Sequence, residues 1–60
     1  MFKYKITLVS ARAGIRNIEV DANGWGIDSD FIFFFRKEEG KDVRTFGVHK
    51  AAVVRIEQAG

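Results

Sequence analysis

From Phe2 to Val9 the chain alternates with a period of two: Phe2, Tyr4, Ile6 and Leu8 fall on one side, Lys3, Lys5, Thr7 and Val9 on the other. Successive side chains of an extended strand point to opposite faces, so the pattern predicts a strand with one buried face. Ser10 to Gly14 are mostly small and predict a loop, after which Ile15 to Val20 resume as a strand with Ile18 and Val20 inward. If Ile6 faces Ile18 and Tyr4 faces Val20 in a hairpin, the same register sets Lys5 against Glu19 and Lys3 against Asp21 on the outer face. Opposite charges directly across a strand pair favour it, so the hydrophobic and the charge patterns select one register.

The remaining segments are short and strand-like. Asp21-Ala22-Asn23-Gly24 carries an Asn-Gly turn signal, Trp25 to Ile27 predicts a short strand with Trp25 in the core, and Asp28-Ser29-Asp30 predicts a polar turn. Phe31-Ile32-Phe33-Phe34-Phe35 is apolar on both faces, so it is a strand covered on both sides or one whose second face meets something outside the domain. Glu38 to Asp42 form a charged turn, Val43 to Val48 the partner strand, His49 to Ala52 one 3₁₀ turn, and Val53 to Glu57 a closing strand. No window sustains a helical period, and the chain has no Pro and no repeat. Together these features predict one all-β domain over residues 1–60, a small five- to six-stranded antiparallel barrel of the SH3-like kind. An OB-fold, which usually carries a helix, fits less well.

A domain of 60 residues buries only roughly 60% of the surface its unfolded chain exposes, so its core must be dense. The sequence is 47% apolar with six Phe, one Trp and one Tyr, and it has no Cys to form disulfides. Zinc needs about four Cys or His ligands and the chain offers only His49, so no metal or cofactor is expected. A small core or self-association must then suffice. Lack of Cys predicts a cytoplasmic location. Met1 to Lys5 interleave charge with apolar groups and lead into no hydrophobic leader, and no uncharged run approaches the roughly 20 residues that span a bilayer, so no membrane partner is expected. The net charge of +2 permits nucleic-acid binding without arguing for it.

No motif sets Ser10, Ser29 or a carboxylate beside His49, and there is no Cys nucleophile, so an enzyme is not expected. Gly24-Trp25-Gly26 lacks the third glycine, the lysine and the following helix of a phosphate loop; its glycines are taken as turn chemistry. Asp28 and Asp30 offer too few oxygens for calcium and are taken as turn caps.

The candidate binding surface comes from pairing Phe31–Lys37 with Val43–Val48 across a five-residue turn, which sets Phe34 opposite Phe46, Ile32 opposite Val48 and Arg36 opposite Arg44. Two facings fit. In one, Phe31, Phe33 and Phe35 fill the barrel, with Gly47 leaving room opposite Phe33. Ile32, Phe34, Phe46 and Val48, edged by Arg36 and Arg44, then form an outer platform for a protein partner, a second copy or single-stranded nucleic acid. Two facing arginines repel unless an anion lies between them, or unless the nearby Glu38 and Asp42 neutralise them within the turn. In the other facing, Ile32, Phe34 and Phe46 are core and the odd-numbered Phe residues cap the barrel's open end. Lys3, Lys5, Arg16 and Arg55 form a secondary basic stripe for phosphate contacts, although Lys3 and Lys5 already have acidic partners in the hairpin. Carriage of a small nucleotide is a third reading and would need an oligomer, because a barrel filled by its own aromatics has little room inside.

With the strands placed, the stretch from Ile18 to Ile56 resembles small uncharacterised barrel proteins of phages and prophages. The features that carry the likeness are Glu19-Val20-Asp21-Ala22, Asp28-Ser29-Asp30, Phe33-Phe34-Phe35-Arg36, Val43-Arg44-Thr45-Phe46 and Val53-Val54-Arg55-Ile56. The resemblance implies an accessory protein of a bacterial or archaeal host cell that binds a host or viral factor, an inhibitor of host defence included. Phe2-Lys3-Tyr4-Lys5 is similar to the opening of archaeal Sul7-type chromatin proteins, which implies DNA binding through an SH3-like sheet; the high lysine content of that family is missing here.

Overall fold

The computed structural model describes residues 1–59 as six strands: β1 (Phe2–Ser10), β2 (Gly14–Ala22), β3 (Gly24–Asp28), β4 (Phe31–Glu38), β5 (Lys41–His49) and β6 (Val53–Gln58). One 3₁₀ turn, Lys50–Ala52, precedes β6, and His49 caps it by accepting the Ala51 N–H on Nδ1 at 3.1 Å. The strands form two three-stranded antiparallel sheets, ordered β2-β1-β6 and β3-β4-β5. The all-β expectation therefore holds at the level of antiparallel sheets, but among the described residues no strand pairing closes the two sheets into the expected barrel. They stack as two layers, and the short dimension of 13 Å matches sheets packed about 10 Å apart.

In the first sheet, the observed register is Tyr4 with Val20, Ile6 with Ile18, Lys5 with Glu19 and Lys3 with Asp21, as the two sequence patterns predict. The ion contact itself is diagonal, from Lys3 Nζ to Glu19 at 3.5 Å. β6 lies on the other side of β1 with Ile6 opposite Ile56, and Val54 is bulged out where Thr7 pairs with Arg55 and Leu8 with Val53.

The Asn-Gly signal does not produce a hairpin. The chain passes from β2 in one sheet to β3 in the other through Asn23 alone. Backbone polar groups at such a corner need partners, and β4 supplies them: the Asn23 N–H donates to the Phe35 carbonyl at 2.8 Å, and Asn23 Oδ1 accepts the Lys37 N–H at 2.7 Å.

Between β4 and β5 the expected five-residue turn is shorter. Glu39 (φ 52°) and Gly40 (φ 77°) make a two-residue turn with both φ positive, the form that suits the twist of paired strands, and it sets Glu38 opposite Lys41. Phe34 still pairs with Phe46 and Ile32 with Val48, so one residue, Thr45, is extruded as a bulge. The bulge moves Arg44 opposite Phe35 and leaves Arg36 opposite Val43, so the expected Arg36–Arg44 pair does not form.

The core holds Tyr4, Ile6, Ala22, Ile32 and Phe34, ringed by Leu8, Ile18, Val20, Phe46, Val48, Val53 and Ile56. Phe34 is its centre, with ring centroids 5.6 Å from Tyr4 and 6.0 Å from Phe46. The even-numbered side of β4 is thus the inner side. Trp25, expected in the core, shares that side but is 41% exposed, because β3 is an edge strand whose inner face the other sheet only partly covers.

Candidate functional site

The outer face of the β3-β4-β5 sheet is built on the odd-numbered residues of its central strand. Across it run three rows: Asp28, Phe31 and His49; Gly26, Phe33 and Gly47; Gly24, Phe35 and Arg44. A glycine weakens a strand locally, and here it is required by what lies above it. A Cβ on Gly26 would sit 2.8 Å from Phe33 Cζ, and one on Gly24 2.7 Å from Phe35 Cζ, so both rings lean across β3 over bare backbone. These two glycines serve cross-strand aromatic packing, which corrects their assignment to turn chemistry.

The rings form a row. Phe33 and Phe35 lie 6.3 Å apart, and Phe31, 54% exposed, meets the His49 ring edge-on at 5.4 Å. The Arg44 guanidinium lies 4.0 Å above the centre of the Phe33 ring and reaches Asp28 Oδ2 at 3.0 Å. A cation over an aromatic face is attracted by the ring quadrupole, whereas an exposed ion pair adds little, so Phe33 and Asp28 together orient Arg44 without locking it. Asp28 therefore works across the sheet rather than as a turn cap. A shallow hollow between Phe31 and Phe33, floored by Gly47, opens beside this arrangement. At the far end Lys37 stands opposite Asp42 in the ladder, so an acid is placed across from this cation too, although of the two only Arg44 is ion-paired among the described residues.

Of the residues proposed for an outer platform, Ile32 and Phe34 are buried and Phe46 and Val48 pack against them. Arg36 turns to the inner side, with Nη2 3.4 Å from Met1 Sδ, and only Arg44 reaches the outer face. Of the basic stripe, Lys3, Lys5 and Arg55 share the outer face of the first sheet, interleaved there with acids, and Arg16 does not. Lys3 pairs with Glu19, Arg55 with Glu57, Lys5 lies between Glu19 and Glu57 in the two registers, and Arg16 sits opposite Leu8 on the inner-facing side of β2. Sequence reasoning missed Phe31, Phe33, Phe35, Asp28 and His49 as one surface. The available signal was the spacing of Gly24 and Gly26, which matches Phe35 and Phe33 once β3 is paired antiparallel to β4.

Among the described residues no group of three or more His, Cys, Asp or Glu gathers in one place, and no helix is long and apolar enough to cross a membrane. No family model matches the chain, and neither a curated protein nor a solved structure matches it.

Proposed function

We propose that this chain is a non-catalytic binding module whose working surface is the outer face of the β3-β4-β5 sheet, and that its partner is a protein. The observation that carries the reading is the row of Phe31, Phe33 and Phe35 on that face with Arg44 laid over Phe33. Aromatic residues and arginine are the side chains that dominate protein contacts, and a Phe with two χ angles loses little entropy when covered. Charge separates this reading from its rival. A groove for single-stranded nucleic acid carries excess cations along the phosphate track, whereas here Arg44 faces Asp28 and Lys37 faces Asp42.

An SH3-like build is part of the proposal. It is supported by the order β2-β1-β6 and β3-β4-β5, by the passage between sheets at Asn23, and by the single 3₁₀ turn before the last strand. The likeness to phage and prophage barrels extends the reading to an accessory protein that contacts a factor in the cytoplasm of a bacterial or archaeal host.

The test compares what the immobilised chain captures from bacterial extract with what its variants capture. Phe33→Ser is expected to lose at least about tenfold of the captured protein, Lys5→Ser on the opposite sheet to lose none, and nuclease to change nothing. Capture that disappears with nuclease, or falls steeply between about 50 and 200 mM salt, would transfer the face to nucleic acid. Equal capture by wild type and Phe33→Ser would remove the face from consideration.

A further inference from the structure

We infer that the protein covering this face is a second copy of the same chain, packed face to face about a two-fold axis that passes over Phe33. The inference rests on the protein-contact reading above and adds the identity and symmetry of the partner.

The first argument is stability. Among the described residues only Tyr4, Ile6, Ala22, Ile32 and Phe34 are buried, and the sequence of 60 residues has no Cys. Domains this small gain the remaining stability from a staple, a metal or association, and the outer Phe row, with Phe31 54% exposed, is one aromatic surface open to the third, beside the exposed Phe2 and Trp25.

The second argument is charge placement. The backbone positions of Asp28, beside Phe31 on the β3 side, and Arg44, beside Phe35 on the β5 side, stand at opposite corners of the face, while their charged ends meet at 3.0 Å over Phe33 between them. In a face-to-face pair, a two-fold axis lying in the interface perpendicular to the line joining those corners sets each Arg44 over Asp28 of the other copy. The same patch then meets itself with every contact made twice, as an isologous interface requires. Arg44 and Asp28 now pair within one chain at 60% and 58% side-chain exposure, so exchanging that bond for the equivalent one across the interface costs little.

The third argument is shape. Phe33 is flanked by Gly26 and Gly47, and a Cβ on Gly47 would meet only the Ile32 carbonyl oxygen at 3.9 Å. No side chain rises at that point, and the hollow over Gly47 is open to a Phe ring of the other copy.

The face is three strands wide and about 14 Å long from Phe31 to Phe35. It falls short of the roughly 800 Å² per partner of tight complexes, so the dimer is concentration-dependent.

The test is sedimentation equilibrium from about 10 μM to about 1 mM, a range that covers dissociation constants expected of small interfaces. Wild type is expected to dimerise reversibly within it. Asp28→Arg and Arg44→Asp alone each bring like charges together twice and are expected to weaken the dimer at least about tenfold. An equimolar mixture of the two is expected to recover it, because the introduced arginine meets the introduced aspartate and the native Arg44 meets the native Asp28. Circular dichroism melts check that both variants fold. A wild type that stays monomeric throughout, or a mixture that does not associate, overturns the inference. If wild type is monomeric and Phe33→Ser still loses capture from extract, the second copy is rejected and the protein-contact reading survives; if capture is also unchanged, both fall.

Discussion

Phe34→Ala is expected to abolish the folded state. Phe34 has no exposed surface and joins the two sheets, meeting Tyr4 of the first and Phe46 and Trp25 of its own. Truncating a buried Phe costs about 3–5 kcal/mol, and a single core in a domain of this size supplies about 3–5 kcal/mol in all. The variant should show no cooperative thermal transition above room temperature by circular dichroism. Phe33→Ala and Phe35→Ala, one position away on either side, remove rings from the outer face and should keep a cooperative melt with losses of about 1 kcal/mol each. A Phe34→Ala protein that melts like Phe33→Ala would reverse the assignment of the two faces of β4.

Ala22→Leu is the complementary case, in which volume is added instead of removed. Ala22 is the last residue of β2, has no exposed surface, and directly precedes the corner at Asn23. Extra methylenes in a filled core cost about 1–3 kcal/mol, and in a domain this small each kcal/mol lowers Tm by about 4–8 °C. The expected result is a fall in Tm of about 10 °C or more with the fold retained. An unchanged Tm would mean that the space beside the corner is not filled as described.

The parts of the fold that were legible in the sequence are those specified twice. The β1–β2 register follows from apolar residues on one face and from opposed charges on the other, and each excludes a one-residue slip. The facing of β4 was not legible, because a strand with Phe, Ile and Phe on both sides has no period to orient it. The arginine pair failed for a different reason. Its prediction assumed a continuous ladder, whereas the two-residue turn at Glu39-Gly40 and the bulge at Thr45 exchange one residue of turn for one of strand. That exchange leaves Phe34 opposite Phe46 and alters every pairing beyond it. Trp25 was misplaced because composition does not reveal that a strand lies at an edge. Hence the candidate site was legible only in its ingredients, an aromatic strand with arginine nearby, and not in which of those residues face outward.

The pairing scheme also sets an order of assembly. Three of the four observed ladders, β1–β2, β3–β4 and β4–β5, join neighbours in sequence through short turns, while β1–β6 joins the first strand to the last. Local hairpins need little loop closure, whereas the terminal ladder must draw together the two ends of the chain before any contact rewards it. The last strand is thus expected to dock last during folding and to release first. Native-state hydrogen exchange should find the amides of Val53–Gln58 opening well below the global unfolding free energy, while the Ile32 and Phe34 amides exchange only when the whole domain opens. Equal protection in the two segments would show instead that the chain folds and unfolds as one cooperative unit.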